Sequence, residues 1–545
     1  MTTRSMVWRR KSCLMMGRIA VALAMIACAV PLILIPAGRG PSGPFLAAQP
    51  PLGGPLPELT GGGDWINTKK PITLKMLRGK FVLIDFWTLC CINCMQTLPD
   101  IEKLEAKYAK QLVVIGIHSP KFENERSINS VRQAVMRYEV THPVLNDPDR
   151  NLWKAFAVQG WPTLILIDPQ GNVVHRIVLE RPKIYDLFDQ LIRDGIRIHR
   201  AKKTLNEDLL PFQLAQAEAK TGPLYFPGKI LVDERGSRIF IADSTHHRIV
   251  VTDMSGKHLE TIGRGTPGKS EGSFARAQFD DPQGLALRDN VLFIADRKNH
   301  VVRAANLKTK TVKTVAGVGR RIYEAAVNGP ALRTGLNSPW ALTLCDKKLF
   351  IANAGTNQIR VLDLARENLQ TFAGTSNEDI VDGPRFQCSL AQPSGITSNG
   401  TDLFWADSET SSIRTTPVDG KGPVRTIIGK GLFIYGDQDG GPNQARLQHP
   451  LDVVHVDGKL YVADTYNSKI KEIELGLNTC TTLPLKAEDA SETGPLFDNP
   501  GGLAYAAGKL YVADTNAHRI RIVDLKTNKV STLALKGVEP PKKAD

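Results

Sequence analysis

Cysteine is scarce in this chain of 545 residues, which has eight of them. Three of the eight nevertheless fall within five positions, in the stretch FWTLCCINCMQTLP that begins at Phe86. No second pair of Cys or His residues with the spacing of metal ligands lies near this cluster, and zinc needs four ligands. The cluster therefore predicts thiol chemistry that uses neither a metal nor another cofactor.

Dense clusters of positive charge are also missing after the first twenty residues, although the formal net charge is +14. Nucleic acids and anionic membranes attract basic side chains that are clustered rather than scattered. We therefore do not expect a nucleic-acid partner. A hydrophobic content of 42% with 23% charged residues argues against a disordered chain, and this length predicts two or more domains.

The first 40 residues combine basic residues at positions 9–18 with an apolar run over 19–37. Such a run is about long enough to cross a bilayer, and the basic flank stays cytoplasmic. We expect residues 1–40 to anchor the chain in the cell membrane, with the remainder on the periplasmic side. Cleavage near the small residues at 45–49 is the alternative, which would export the chain. Residues 41–63, rich in Pro and Gly, are expected to form a spacer.

Short apolar segments alternate with helical patterns over residues 64–203. The segments FVLIDFW (81–87), LVVIGIHS (112–119) and PTLILIDPQGNVV (162–174) are rich in β-branched residues, and amphipathic stretches lie between them. Strands that alternate with helices predict an α/β domain whose sheet is buried between helices. A polar linker over 204–222 is expected to follow.

Residues 223–536 lack helical patterns and instead contain one phrase six times, for example IFIADSTHHRIVVTD at 239 and LYVADTNAHRIRIVD at 510. Successive copies start 50 to 57 residues apart. Each is preceded by a Pro and a short strand, and most are followed by a Thr-rich strand. Four short strands per repeat predict a propeller blade, and six blades close a ring without exposed sheet edges. Residues 537–545 would be a tail.

Two motifs carry a resemblance to known families. The phrase ADxxNHRI, best preserved as ADSTHHRI and ADTNAHRI, resembles the NHL repeat, and DFWTLCCINC resembles the D-F-W-x-x-W-C-G-P-C pattern of thioredoxins. Together they resemble a thioredoxin-like family with NHL repeats. The resemblance implies a multidomain protein, with an α/β thioredoxin-like domain followed by an all-β six-bladed NHL-type propeller. It also implies a thiol-disulfide oxidoreductase that acts on protein thiols and disulfides.

The same resemblance assigns positions in the thioredoxin pattern. Cys91 and Cys94 take its two redox positions, and Asp85 takes the position of its buried acid. The tripeptide Trp161-Pro162-Thr163 takes the place of a cis-proline loop, which in the resembled family pairs its backbone with an extended substrate. Cys90 occupies the usual position of a Trp, so the pattern is not complete.

These residue types suit disulfide exchange, which needs a thiolate. A strand followed by a helix puts Cys91 at their junction, where unpaired N–H groups and the helix dipole favour negative charge. We expect Cys91 to attack and Cys94 to resolve the mixed disulfide. Asp85 lies in an apolar strand, where burial should raise its pKa and let it take the proton of Cys94. Cys90 is expected to be a packing residue.

Other functions of the cysteines stay open. A permanently closed disulfide would leave the chain as a non-catalytic propeller scaffold. Thr88, three residues before Cys91, matches part of a peroxidase motif, although Ile84 stands where that motif has a Pro. A thiol peroxidase is therefore a further alternative. His118 and His142 are isolated and are expected to be structural.

The propeller repeats an Asp or Asn directly after one apolar strand of every copy. Such repetition is what a turn requires, because Asp and Asn side chains bond their own backbone two residues on. We expect turns rather than a ring of metal ligands. The insertions at 319–337, 374–392 and 429–448 vary most, and we expect them to contact the partner or substrate that the propeller holds. The repeated residues are Asp243, Asp296, Asn353, Asp407, Asp464 and Asp514.

Overall fold

A computed structural model describes residues 56–179, 182–210, 212, 214, 222–323 and 327–541. The expected anchor over 1–40 and most of the expected spacer over 41–63 lie outside these residues. Within the described ranges, no helix combines the length and the apolar character that crossing a bilayer requires.

The N-terminal part of the described chain forms the predicted α/β domain, in which helices pack against one mixed sheet. Its strands are β1 (Trp65–Ile66), β2 (Phe81–Trp87), β3 (Leu112–His118), β4 (Val144–Asn146), β5 (Thr163–Ile167) and β6 (Val173–Val178). Its α-helices are α1 (Ile92–Lys107), α2 (Ile128–Arg137), α3 (Asn151–Ala155) and α4 (Ile184–Ala201). The strand order is β1-β4-β3-β2-β5-β6, and β2 runs parallel to β3 and antiparallel to β5.

Strand β2 lies inside the sheet, and all seven of its residues are buried. Val82, Ile84 and Phe86 pack in one cluster with side chains of α3. Phe81 and Leu83 pack in another cluster with side chains of α1 and α4. Because successive strand residues alternate between the two faces, the continuous apolar run is covered on both sides. The end of β2, from which the cysteine cluster continues, is therefore held rigidly.

Part of the expected linker lies against this domain. The N–H of Asn206 donates to the carbonyl of Gly79 at 2.8 Å, and Glu207 pairs with Arg200 at 2.8 Å. The described beginning of that segment, residues 204–208, is thus part of the surface of the domain.

Six blades of mainly antiparallel strands follow, one from each repeat, as predicted. Innermost strands of neighbouring blades pack against one another, and the last packs against the first, which closes the ring. The first blade comprises β7 (Pro227–Asp233), β8 (Arg238–Asp243), β9 (Arg248–Asp253) and β10 (His258–Ile262), and the second comprises β11 (Gly272–Ser273), β12 (Pro282–Arg288), β13 (Val291–Asp296), β14 (Val301–Asn306) and β15 (Thr311–Ala316). The third blade comprises β16 (Gly329–Pro330), β17 (Pro339–Cys345), β18 (Lys348–Asn353), β19 (Gln358–Asp363) and β20 (Asn368–Ala373), and the fourth comprises β21 (Pro393–Ser398), β22 (Asp402–Asp407), β23 (Ser412–Pro417) and β24 (Arg425–Ile428). The fifth blade comprises β25 (Asp452–Val456), β26 (Lys459–Asp464), β27 (Lys469–Glu474) and β28 (Thr479–Thr482), and the sixth comprises β29 (Lys486–Ala487), β30 (Pro500–Ala506), β31 (Lys509–Asp514), β32 (Arg519–Asp524) and β33 (Lys529–Thr532).

The repeated Asp and Asn residues make a different bond from the one expected. Each accepts a backbone N–H from the loop 16 or 18 residues earlier in the chain, and not from the residue two positions on. Asp407, for example, accepts from Ala391 at 2.9 Å. All six are buried, so each side chain ties the loop before a blade to its second strand. No group of residues in the described ranges is arranged to hold a metal ion.

A second repeated position links each blade to the next. His518 in the last blade accepts the N–H of Phe226 in the first at 3.0 Å, and Asn357 accepts that of Gln392 at 2.8 Å. The residue that donates this N–H precedes a proline in every blade and has a positive φ, between 49° and 57°. We call these six donors the mouth ring: Phe226, Asp281, Ser338, Gln392, His449 and Asn499.

Candidate functional site

The cysteine cluster begins between the end of β2 and the start of α1 and continues into the first turn of that helix. Cys91 is the N-cap residue of α1, and its Sγ accepts the N–H of Cys94 at 3.2 Å. Cys91 is partly exposed, whereas Cys90 and Cys94 are buried, and all three thiols are free. Burial is the main cause that raises the pKa of Cys94, and the neighbouring Cys91 and Asp85 raise it further. The geometry thus offers one accessible thiol at a helix N-terminus and one buried thiol beside it.

Asp85 is completely buried in β2, and neither of its carboxylate oxygens has a hydrogen-bond partner among the described residues. Burial raises the pKa of Asp85 to about 7, and the nearby His142 opposes this rise. A buried carboxylate without partners is costly unless it is protonated. Asp85 is therefore placed to exchange a proton near neutral pH.

The tripeptide Trp161-Pro162-Thr163 directly precedes and begins β5, and the peptide bond between Trp161 and Pro162 is cis. The indole ring of Trp161 packs on that of Trp153, with ring centres 4.4 Å apart. The Thr163 hydroxyl donates to the carbonyl of Gly160 at 2.7 Å, which stabilises the loop. The loop and Cys91 line the same cavity through Gly160 and Trp161.

The two isolated histidines have local partners. Nδ1 of His118 lies 3.3 Å from Oδ1 of Asn146, and burial lowers the pKa of His118 to about 4. Nδ1 of His142 lies 3.2 Å from a carboxylate oxygen of Glu105. Both side chains are buried, which agrees with the structural role expected for them.

Glu125 is a residue of the site that the sequence did not reveal. Its buried carboxylate accepts the Thr88 hydroxyl at 2.7 Å and the N–H of Cys90 at 3.0 Å. It also accepts the N–H groups of Lys121 at 2.6 Å and Phe122 at 3.0 Å. One side chain therefore fixes both the cysteine turn and the loop beside it, and the Thr88 hydroxyl is bound to Glu125.

The cysteine side of the domain rests on the mouth ring of the propeller. Gln96 of α1 donates to the Ser338 hydroxyl at 2.9 Å. Nδ2 of Asn124 donates to Oδ1 of Asn499 at 3.0 Å. The third contact comes from Gln392, which bonds the backbone of the cysteine turn itself. Three blades thus hold the thioredoxin-like domain through side chains at one repeated position.

Aromatic side chains anchor the same interface. Phe122 inserts between Tyr435, His449 and Tyr466 of the propeller, with ring centres 4.8, 5.2 and 5.6 Å apart. Nearby, Met95 of the thioredoxin-like domain faces the propeller's Trp340, and both line a cavity of about 40 Å³ at the mouth of the ring. The domain therefore covers the propeller's axis on this side.

The three insertions of the propeller contact the thioredoxin-like domain of the same chain. Arg321 of the first insertion pairs with Asp100 of α1 at 3.2 Å. Gln392 ends the second insertion, and Tyr435 of the third donates its hydroxyl to the carbonyl of Lys121 at 3.1 Å. All three insertions therefore bind the chain's own thioredoxin-like domain.

A cavity of about 180 Å³ lies between the two domains at Cys91. The thioredoxin-like domain contributes Cys91 and Trp161 to its wall, and the propeller contributes Gln392, Glu409 and Phe433. Cys91 therefore lines a cleft that is built by both domains.

Comparisons with known proteins agree with this architecture. A family model described as thioredoxin-like matches residues 79–173, and one described as the NHL repeat matches 497–523. NHL repeat-containing protein 2 of Gallus gallus is 37% identical over 489 residues, which cover 82% of this chain and 67% of that protein. The chloroplastic protein SUPPRESSOR OF QUENCHING 1 of Arabidopsis thaliana is 38% identical over 473 residues, which cover 82% of this chain and 44% of that protein.

A smaller relative matches the first domain alone. Thiol-disulfide oxidoreductase YkuV of Bacillus subtilis is 31% identical over 122 residues, which cover 22% of this chain and 81% of that protein. The first domain thus has a thiol-disulfide oxidoreductase among its relatives. The predicted fold class, a thioredoxin-like domain followed by a six-bladed propeller, is confirmed.

Proposed function

The chain belongs to the family of NHL repeat-containing protein 2, and on that premise we propose that it is a thiol-disulfide oxidoreductase that uses Cys91 and Cys94. The Cys91 thiolate attacks one sulfur of a substrate disulfide and releases the other sulfur as a thiolate. Cys94 then gives its proton to Asp85 and attacks Sγ of Cys91, which releases the second substrate sulfur. Two electrons pass from the cysteine pair to the substrate, and the reverse sequence oxidises a dithiol.

The observation that carries this proposal is the buried, unpartnered carboxylate of Asp85 beside Cys94. A structural carboxylate at this depth would be hydrogen-bonded, as Glu125 is. Asp85 instead has a pKa raised to about 7 and a thiol neighbour that must lose a proton. A general base with such a pKa suits proton transfer at neutral pH.

The cleft between the two domains at Cys91 supports a narrow substrate. The cis-proline loop forms one wall at Trp161, and Phe433 of the propeller forms another. We propose that an extended protein segment carrying a cysteine enters between them, so that the propeller acts as part of the substrate-binding site. A folded surface would be excluded from Cys91 unless the two domains separate.

Trapping of the mixed disulfide tests this function. The reduced Cys94→Ser variant is mixed with an extended peptide disulfide, and the covalent adduct is located by mass spectrometry. We expect the adduct at Cys91, and we expect it to persist because the resolving thiol is gone. Cys90→Ser combined with Cys94→Ser is the matched control and should trap equally. An adduct at Cys90, or none at all, would contradict the proposed roles.

We further propose that the chain works outside the cytosol, held to the membrane or exported. The support is the basic segment at 9–18 followed by the apolar run at 19–37. Protease treatment of intact spheroplasts should digest the two domains while sparing cytosolic markers. Protection of the whole chain until lysis would contradict this location.

A further inference from the structure

Gln392 of the propeller hydrogen-bonds the backbone on both sides of Cys91, which lies in the thioredoxin-like domain. Its Oε1 accepts the N–H of Ile92 at 2.9 Å, and its Nε2 donates to the carbonyl of Cys90 at 3.0 Å. These two backbone groups lie on either side of Cys91 in the sequence. The amide orientation is fixed, since an N–H can only donate and a carbonyl can only accept. One side chain from the other domain therefore holds the turn that presents the reactive thiol.

Gln392 is itself held in one position. Its side chain is fully buried, and its backbone N–H donates to Oδ1 of Asn357 at 2.8 Å. It has a φ of 56° and directly precedes Pro393, which begins β21. A residue fixed by its own blade in this way imposes its geometry on the cysteine turn rather than following it.

Other members of the mouth ring contact the same domain without touching the cysteine turn. Ser338 bonds the side chain of Gln96, and Asn499 bonds the side chain of Asn124. They occupy the same repeated position as Gln392 in other blades. The chain thus offers its own control residues, which dock the domain but do not contact the backbone at Cys91.

The bond to Ile92 has an electrostatic consequence. The N–H groups in the first turn of a helix are the donors that stabilise a thiolate at its N-cap. Cys91 Sγ accepts the N–H of Cys94, and Gln392 pairs the Ile92 N–H with an uncharged carbonyl oxygen. The partial negative charge of that oxygen offsets part of the positive potential that the Ile92 N–H adds next to Cys91. Given the proposed oxidoreductase function, we infer that Gln392 is a positioning residue. Through it, the propeller sets the equilibrium between the dithiol and disulfide forms of the Cys91–Cys94 pair.

Two variants of the full chain with opposite expected effects test the inference. In Gln392→Ala, the positive potential of the Ile92 N–H is no longer offset by the Gln392 oxygen. The midpoint of the Cys91 alkylation profile should then move to lower pH, and the equilibrium with glutathione should shift about tenfold toward the dithiol, which is about 30 mV for two electrons. In Gln392→Glu, a carboxylate beside the thiolate should move both quantities the other way.

Asn499→Ala is the matched control, because it breaks a docking bond at the equivalent position of another blade. It should leave the alkylation midpoint and the equilibrium unchanged. Thermal unfolding of each variant verifies that it is folded. If Gln392→Glu does not fold, Gln392→Met, which keeps the length of the side chain without its polar atoms, must shift both quantities in the direction of Gln392→Ala.

Shifts of the same sign in the Ala and Glu variants, or shifts no larger than that of Asn499→Ala, would overturn the inference and leave Gln392 as a docking residue. The alkylation profile is measured on reduced protein, so it tests Gln392 even if the pair does not cycle. A wild-type pair that never cycles would instead defeat the proposed function, and the two failures are therefore distinguishable.

Discussion

Lys121 of the thioredoxin-like domain and Glu409 of the propeller form a buried ion pair, in which each side chain is 5% exposed. Burial alone would lower the pKa of Lys121, but the charge of Glu409 reverses this and raises it. Burial would raise the pKa of Glu409, and Lys121 reverses that effect as well. The pair lies beside the Phe122 anchor and lines the cavity at Cys91. It connects the docking of the two domains to the site itself.

Removing one partner of this pair should destabilise the chain. In Glu409→Gln, the charge of Lys121 stays buried without its ion-pair partner, and we expect a loss of about 3 kcal/mol in the free energy of unfolding. Urea denaturation at pH 7 measures it. The double variant Lys121→Met/Glu409→Met should recover most of the loss, since it leaves no unpaired charge.

The control for that experiment is an exposed pair nearby. Glu123 lies 3.6 Å from Arg126, and its side chain is 74% exposed. Glu123→Gln should therefore cost less than about 1 kcal/mol. Equal losses in Glu123→Gln and Glu409→Gln would show that the buried pair does not hold the domains together.

The Phe122 anchor should control access to Cys91. Phe122→Ala removes the ring from between Tyr435, His449 and Tyr466, a change that typically costs 3 to about 5 kcal/mol. Looser docking opens the cavity, so alkylation of reduced Cys91 should become about tenfold faster, which corresponds to about 1.4 kcal/mol of easier opening. Phe386→Ala, which truncates a phenylalanine that is 62% exposed, is the control. An unchanged rate in Phe122→Ala would mean that Cys91 is reached without domain separation.

Asp85 should make stability depend on pH. Burial raises its pKa to about 7 in the folded chain, against about 3.9 when unfolded. The folded state therefore binds more protons between these values, and stability falls as pH rises through them, by up to about 4 kcal/mol. Asp85→Asn is neutral at every pH and should not show this loss.

Urea unfolding of both proteins at pH 5 and pH 8 measures the effect of Asp85. The variant should gain stability relative to the wild type at pH 8, and the gain should be smaller at pH 5. If the two proteins differ in stability by the same amount at pH 5 and pH 8, Asp85 would have to be ionised in the folded protein and stabilised by a partner.

The blades and the cysteine junction were predictable because their signals are local. Each repeat carries its own strands and turns, and Cys91 lies between an apolar strand and an amphipathic helix that adjoin in sequence. The cis bond before Pro162 was implied by the resemblance of Trp161-Pro162-Thr163 to the cis-proline loop of the thioredoxin pattern. The bond partner of each repeated Asp was not predicted, because it lies 16 or 18 residues earlier in a loop without a distinct pattern.

The docking of the domains could not be predicted from the sequence. Gln392 lies 300 residues from Ile92 in the chain, and no periodicity connects the two positions. Glu125 was missed for a similar reason, since an acidic residue in a polar stretch gives no sign that it will be buried under the cysteine turn. Such contacts depend on how the folded parts of the chain pack together, and no single segment of the sequence encodes that packing.

The reduction potential of the Cys91–Cys94 pair decides whether the chain is a thiol-disulfide oxidoreductase. The reduced fraction is measured across glutathione and dithiothreitol redox buffers, with Cys91→Ser as the blank. We expect a reversible transition between about −270 mV, typical of a reductant, and about −120 mV, typical of an oxidant. A pair that stays oxidised below about −300 mV would be a structural disulfide, and the chain would then be a propeller scaffold without redox catalysis.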